Sequence, residues 1–165
     1  MKKIILSILV IVTGISCTKA QKIAFSDESL TSNLKTLENN DIAFKNILEK
    51  HAGKTIVIEV WASWCGDCVK AMPKLKELQS NNPEVDYIFI SMDKAEDKWK
   101  AGIEKHELEG DHYWATDGMK SIFAKATDID WIPRYIIIDK TGKIVTYRAI
   151  ETDFQKINTT LKSLK

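Results

Sequence analysis

Apolar positions along this chain of 165 residues change from strand-like runs to helical periods, and that change predicts strands separated by helices. Residues 55–62 (TIVIEVWA) are nearly all apolar and rich in β-branched side chains, which is typical of a buried parallel strand. Residues 68–79 then carry an apolar side chain at every third position, which predicts a helix that Pro73 should kink. We therefore expect a strand that leads directly into a helix near residue 65.

The rest of the chain continues this alternation. Further strands are predicted at 87–91, 112–115, 134–139 and 143–148. Further helices are predicted at 41–51, 96–106, 117–126 and 152–164, and helical spacing also relates Leu30, Leu34 and Leu37. Residues 140–142 (KTG) are typical of a hairpin turn between the last two strands. The pattern predicts one α/β domain over residues 31–165, with a central mixed sheet flanked by helices.

The first residues have the pattern of an export signal. Lys2 and Lys3 precede an apolar run over residues 4–12, which is shorter than the about 20 residues of a membrane-spanning helix. We interpret residues 1–16 as a signal peptide and the polar residues 17–30 as a tether. A buried core helix is the alternative for the apolar run.

Two processing sites fit this signal. Residues 14–17 (GISC) resemble a bacterial lipoprotein box, in which Cys17 would be lipidated and become the mature N-terminus. The alternative is cleavage after Ala20. Either outcome leaves an even number of other cysteines, so the cysteine count does not decide between them. We favour lipid attachment at Cys17, which predicts a membrane-tethered protein on the periplasmic side of the bacterial cell envelope.

The composition is that of an ordinary soluble globular domain, with 44% apolar and 28% charged residues. The formal net charge is +1, so no basic excess points to nucleic acid as a partner.

Cys65 and Cys68 are the strongest chemical signal. Two cysteines three positions apart at the start of a helix can close a disulfide across one turn, and the helix N-terminus favours the thiolate of the first. We therefore assign Cys65 as the nucleophile and Cys68 as the resolving cysteine. A static disulfide and half of a zinc site are the alternatives, but a zinc site needs more ligands, and the three histidines show no tight pairing: His51, His106 and His112. We expect no metal.

Residues 60–68 (VWASWCGDC), with Pro73 downstream, resemble the active-site segment of thioredoxins. Ile132-Pro133 before a strand resembles the cis-proline loop of the same superfamily. The extra helix and strand near residues 94–115, together with the export signal, are similar to the membrane-tethered TlpA/ResA-like branch. The resemblance begins near residue 41 and continues to the C-terminus.

This resemblance implies a thioredoxin-like fold with a helix and strand inserted before the cis-proline loop. It also implies an exported, monomeric thiol–disulfide oxidoreductase that reduces or exchanges protein disulfides, as branch members often do during cytochrome c maturation. Its only redox group would be the Cys65–Cys68 pair, with no bound cofactor, and a membrane protein would supply electrons. An envelope dithiol oxidase, a non-catalytic binding module and a peroxiredoxin-type peroxidase are the alternatives.

Glu59 is the only charge in its apolar strand, at the position where thioredoxins place a buried acid beneath the cysteines. A carboxyl group there would have a raised pKa and could relay protons, unless the residue simply faces water. A cis bond at Pro133 would expose the Ile132 backbone beside Cys65, where a substrate strand could pair.

Trp64 and Trp131 would border that substrate surface, although filling the core is the alternative for both. The other two tryptophans of interest belong to the insertion and are predicted to pack: Trp99 and Trp114. Gly66 and Asp67 between the cysteines would tune the redox potential. Asp67 stands where the family usually has proline, and its charge opposes a neighbouring thiolate while favouring the first turn of the helix, so the direction of its net effect is open.

Overall fold

A computed structural model describes residues 21–165. The predicted signal peptide and the predicted lipid site at Cys17 lie outside the described residues. The strands are β1 Asn33–Lys35, β2 Asp41–Ala43, β3 Ile56–Trp61, β4 Asp86–Ser91, β5 Asp111–Trp114, β6 Arg134–Ile138 and β7 Ile144–Ala149. The helices are α1 Asp27–Thr31, α2 Phe44–Lys50, α3 Gly66–Asn81, α4 Glu96–His106, α5 Ile122–Ala126 and α6 Phe154–Ser163.

The strands form one mixed sheet in the order β2-β1-β5-β4-β3-β6-β7. Strands β3, β4 and β5 are parallel, and the other pairs are antiparallel. All six residues of β3 are buried, as its apolar run predicts for a strand in the middle of a covered sheet. The carboxyl ends of the three parallel strands meet at one edge, and the segments that follow β3 and β4 begin there. This architecture confirms the predicted thioredoxin-like fold.

The helices cover both faces of the sheet. On one face, the ring of Tyr135 packs on Phe154 of α6 at a centroid distance of 5.2 Å, and α3 packs against α6. On the other face, Phe25, Phe44 and Phe123 stack edge to face with centroid distances of 4.9 and 5.0 Å, which joins α2 and α5. Trp61, two residues after Glu59 in β3, contacts Gly102 of α4 on the α3 side of the sheet. Because alternate strand residues share a face, Glu59 also points to the α3 side.

The predicted tether is wrong for its last residues. Residues 27–30 lie in α1, whose N-cap Ser26 accepts a hydrogen bond from the backbone N–H of Ser29. Ser29 is fully buried, and Phe25 joins the aromatic cluster described above. Leu34 lies in β1, so the helical spacing from Leu30 to Leu37 does not correspond to a helix. Packing against α2 and α5, not local periodicity, fixes this segment.

Other elements match the prediction or differ at their ends. The helix predicted for 96–106 has the same bounds as α4. Residues 41–43 form a strand, and only residues 44–50 of the helix predicted for 41–51 are helical. The helix predicted for 117–126 is divided into a 3₁₀ turn and α5. Within residues 21–165, none of the helices combines the length and the apolar character needed to cross a bilayer.

Candidate active site

The two cysteines lie at the start of α3, directly after the loop that leaves the carboxyl end of β3. Cys65 is the N-cap residue, and its Sγ accepts a hydrogen bond of 3.1 Å from the backbone N–H of Cys68. The two sulfur atoms form a disulfide with an S–S distance of 2.11 Å. A sulfur at this position receives the free N–H groups of the first helical turn, which stabilise negative charge. This helix begins two residues before the predicted start because the cysteine itself serves as the cap.

The two sulfurs differ in access. Cys65 is 6% exposed and Cys68 is completely buried. The Cys65 Sγ also lies 3.6 Å from the backbone oxygen of Ile132, and the Ile132–Pro133 peptide bond is cis, as predicted. An incoming disulfide can therefore reach Cys65 but not Cys68, and the backbone before Pro133 lies next to the point of attack.

Two large aromatic side chains project from this region into solvent. Trp64 is 57% exposed and Trp131 is 55% exposed, so neither fills the core. Trp64 precedes Cys65, and Trp131 precedes Ile132, so each adjoins one side of the Cys65–Ile132 contact. Exposed aromatic rings beside a reactive group favour contact with a partner chain.

The tryptophans of the predicted insertion do pack. Trp99 is buried and stacks on Trp114 with a centroid distance of 5.9 Å. The indole N–H of Trp114 donates a 2.7 Å hydrogen bond to the backbone oxygen of Asp93. The insertion is therefore fixed to the loop after β4.

Glu59 is buried at 2% exposure, so it does not face water. Its Oε1 accepts a hydrogen bond of 3.2 Å from the hydroxyl of Tyr135, while its Oε2 has no partner within the described residues. Burial raises the pKa of Glu59 to about 8, and the Tyr135 hydrogen bond only partly opposes this shift. A carboxyl group with this pKa can take up or release a proton near neutral pH.

Asp93 is a residue that the sequence reasoning missed. It is completely buried and accepts hydrogen bonds from the backbone N–H of Ser63 at 3.0 Å, from the Ser63 hydroxyl at 2.7 Å and from the Ser91 hydroxyl at 2.8 Å. Ser63 lies two residues before Cys65, so Asp93 holds the chain that enters the cysteine motif. Its position just after a parallel strand next to β3 is a signal that could have identified it.

The residues between the cysteines are open to solvent on their outer side. Asp67 lies in the first turn of α3 with a side chain 43% exposed, and it pairs with Lys70 at 3.4 Å. A side chain added at Gly66 would meet no atom within 4 Å. Their predicted effect on the redox potential stays a prediction.

His51 takes no part in this arrangement. His51 bridges Asp86 and Asp111 at 2.8 and 3.1 Å, at the starts of β4 and β5 and therefore at the sheet edge opposite the cysteines. In the part of the chain that the structure describes, no group of three or more His, Cys, Asp or Glu residues is placed to hold a metal ion.

Comparisons with known proteins agree with this geometry. A family model described as thioredoxin-like matches residues 53–144, a range that contains Cys65, Cys68 and Pro133. The thiol–disulfide oxidoreductase ResA of Bacillus thuringiensis subsp. konkukian is 27% identical over 130 residues, which are 78% of this chain and 71% of that protein. Thioredoxin-1 of Caenorhabditis elegans is 32% identical over 54 residues, 33% of this chain and 47% of that protein, less than half its length.

A solved structure of a thiol–disulfide oxidoreductase from Bacteroides fragilis is also similar. It aligns with a TM-score of 0.67 at 26% identity, over 81% of this chain and 96% of that chain. The similarity therefore extends well beyond the cysteine motif.

Proposed function

The chain belongs to the thioredoxin-like family and has the cysteine pair of a thiol–disulfide oxidoreductase, and on this premise we propose that it reduces or exchanges disulfides in protein substrates. The position of the Cys65 sulfur is the observation that supports this proposal. The more accessible sulfur, that of Cys65, lies against the Ile132 backbone beside a cis proline, where an extended substrate segment can pair.

The reaction begins with the reduced pair. The Cys65 thiolate attacks one sulfur of the substrate disulfide, a Cys65–substrate disulfide forms, and the other substrate sulfur leaves as a thiolate that takes up a proton. Cys68 then gives up its proton and attacks the Cys65 sulfur. The substrate leaves as a dithiol, having gained two electrons, and the Cys65–Cys68 disulfide remains. Glu59, buried on the α3 side of the sheet, is the proposed acceptor of the Cys68 proton.

Substrate recognition is proposed for the surface around Cys65. Trp64 and Trp131 supply apolar contact area, and the Ile132 backbone supplies hydrogen-bonding groups for an extended chain. This combination suits a polypeptide better than a small disulfide, because only a polypeptide can use both. Protein disulfides are therefore the proposed substrates, and the redox pair acts without a further cofactor.

The cellular setting is also a proposal. The Lys2–Val12 signal pattern and the lipoprotein box support export and a lipid anchor at Cys17, on the periplasmic side of a bacterial envelope. A monomer there would receive electrons from a membrane donor, and cytochrome c maturation is the proposed setting, by similarity to the ResA-like branch. Mass spectrometry of the mature N-terminus should show a diacyl or triacyl cysteine at Cys17, and a free N-terminus at Gln21 would overturn the anchor.

Trapping of partners tests the exchange reaction. Cys68→Ser should accumulate mixed disulfides with partner proteins, because Cys65 can attack but nothing resolves the intermediate. Cys65→Ser is the matched control and should trap none, since Cys68 is buried. Equal trapping by both variants, or none by Cys68→Ser, would contradict the proposed mechanism.

The direction of the reaction is tested by the reduction potential of the Cys65–Cys68 pair. A value near about −270 mV supports a reductase, and a value near about −120 mV supports the alternative, a dithiol oxidase.

A further inference from the structure

Arg134 follows the cis proline and is almost completely buried, with a side chain 2% exposed. Its guanidinium donates a 2.6 Å hydrogen bond to Oδ1 of Asp130 and a longer one, 3.4 Å, to the backbone oxygen of Asp128. Asp130 and Arg134 are four residues apart and stand on either side of residues 131–133. Their ion pair therefore closes a small ring around the tryptophan, isoleucine and proline that border Cys65.

A second arginine donates hydrogen bonds to the same two residues, Asp128 and Asp130. Arg148 of β7 donates to Oδ2 of Asp130 and, at 3.4 Å, to the backbone oxygen of Asp128. The Asp130 carboxylate thus has one arginine on each oxygen. Burial opposes its ionisation, but the hydrogen bonds from Arg134 and Arg148 outweigh burial and lower the pKa of Asp130. The ion pairs therefore persist through the neutral pH range.

The segment before the ring is fixed as well. Asp128 has a positive φ of 49°, and the N–H of Ile129 bonds to the backbone oxygen of Ala124 at 2.8 Å. The hydroxyl of Tyr147 bonds to the backbone oxygen of Thr127 at 2.7 Å. These contacts fix the backbone up to Asp128. The two arginines connect this fixed segment to the ring, because both donate to the backbone oxygen of Asp128 and to the carboxylate of Asp130.

We propose that Asp130, Arg134 and Arg148 are positioning residues that hold residues 131–133 in the arrangement that binds a polypeptide disulfide beside Cys65. The inference rests on the proposed function and extends it to the residues that set substrate preference. Without the ring, the loop would sample other arrangements, and the Ile132 oxygen would leave its place 3.6 Å from the Cys65 sulfur for part of the time. The chemistry at Cys65 itself should not need the ion pairs, because the described hydrogen bonds of Asp130, Arg134 and Arg148 do not involve either cysteine.

Two kinds of substrate distinguish an effect on the position of residues 131–133 from an effect on the chemistry at Cys65. A polypeptide disulfide uses the loop, whereas a small one such as hydroxyethyl disulfide needs only an accessible Cys65. If Asp130→Asn leaves the loop competent about one fifth of the time, the half-saturating concentration of a polypeptide disulfide rises about fivefold. The limiting rate of exchange and the rate with hydroxyethyl disulfide should stay unchanged.

The experiment is single-turnover oxidation of the prereduced full chain by a disulfide-bonded peptide and by hydroxyethyl disulfide, each over a range of concentrations. Arg148→Gln removes only the more exposed of the two arginines that bind Asp130. Its half-saturating peptide concentration should therefore rise, but by less than that of Asp130→Asn. This variant tests the proposal where Asp130→Asn does not fold. Glu96→Gln, which breaks the surface ion pair with Lys100 in α4, is the matched control and should change neither reaction.

Faster amide hydrogen exchange at Trp131 and Ile132 in Asp130→Asn, with the peptide effect, supports the proposal. An unchanged half-saturating peptide concentration in Asp130→Asn, or in Arg148→Gln where Asp130→Asn does not fold, overturns it. So does an equal loss with both substrates, which indicates a general structural defect. If the wild-type chain exchanges neither disulfide, the proposed function itself fails, and that result is distinct from the other two.

Discussion

The hydroxyl of Tyr135 donates a hydrogen bond to Oε1 of Glu59, the residue directly opposite it in the register of β6 and β3. Both side chains are buried, and the second carboxylate oxygen of Glu59 has no partner within the described residues. The hydrogen bond stabilises the ionised carboxylate, whereas burial favours the protonated form. The balance between these two effects sets the pH at which Glu59 can accept a proton.

Replacing Tyr135 by Phe removes the hydroxyl and should raise the pKa of Glu59 further from its value of about 8. A net hydrogen bond of about 1 kcal/mol corresponds to a rise of about 0.7 pH units. If the ionised carboxylate accepts the Cys68 proton, the rate of resolution should increase with pH and its midpoint should move upward in the variant. Stopped-flow exchange measured against pH gives that midpoint.

Tyr113→Phe is the matched control for this prediction. Tyr113 is also buried, but its hydroxyl donates to Asp111, at the opposite edge of the sheet, and accepts from Lys50. Its pH profile should coincide with that of the wild type. A midpoint that does not move in Tyr135→Phe would remove Tyr135 from the control of Glu59.

Glu59→Gln should slow exchange and also change how stability depends on pH. The folded-state pKa of Glu59 is about 8, above its ordinary value of 4.5, so the folded chain holds the proton more tightly than the unfolded chain. The wild-type free energy of unfolding should therefore fall as pH rises from about 4.5 to about 8, by up to about 5 kcal/mol. Gln does not titrate, so that decline should be absent.

Denaturant unfolding of the oxidised proteins at several pH values in this window measures the difference. The stability of Glu59→Gln relative to wild type should rise steadily with pH and become constant above about pH 8. A difference that is independent of pH would show that Glu59 does not titrate in this window.

The local sequence pattern was sufficient to predict that Glu59 is buried, but not to identify its hydrogen-bond partner. A single acid in an apolar strand indicates burial with a raised pKa. Tyr135, however, lies 76 positions away, and only the pairing of β3 with β6 brings the two side chains together. The same reason explains Asp93, whose hydrogen bonds to Ser63 depend on the parallel pairing of β3 with β4.

In the N-terminal segment, a helix forms that the local sequence pattern does not indicate. Residues 27–31 are polar except for Leu30 and form only five residues of helix, too short to be stable by propensity. Buried contacts with α2 and α5 hold this helix, and no local pattern indicates them. The Asp130–Arg134 spacing is visible in the sequence, but its meaning depends on Arg148 reaching the same carboxylate from β7.

Gly102→Ala should destabilise the protein even though alanine favours helices. An added Cβ at Gly102 would lie 2.9 Å from Cβ of Ser63 and 3.0 Å from the Trp61 ring, so α4 would have to move from the segment before Cys65. Overpacking typically costs about 1–3 kcal/mol, which exceeds the gain in helix propensity of up to about 1 kcal/mol. Thermal unfolding should show a lower melting temperature.

Gly66→Ala provides the comparison, because its added Cβ meets no atom within 4 Å. Its melting temperature should equal or exceed that of wild type. A Gly102→Ala variant that is as stable as Gly66→Ala would show that α4 can shift without cost.

Asp67 and Lys70 form an exposed ion pair in the first turns of the helix that begins at the cysteines, and they should move the Cys65 pKa in opposite directions. Asp67→Asn removes a negative charge near the thiolate and should lower the Cys65 pKa, whereas Lys70→Gln should raise it. Each effect should be modest, because exposed charges a few ångströms apart interact by about 1 kcal/mol in water, or roughly 20 mV for the two-electron couple. A more stable thiolate favours the reduced form, so Asp67→Asn should be more oxidising.

Thiolate absorbance titrations at low and high salt measure both variants, and screening should shrink both differences. A raised Cys65 pKa in Asp67→Asn would instead mean that Asp67 acts by stabilising the helix N-terminus, since losing that support weakens the N–H groups around the sulfur.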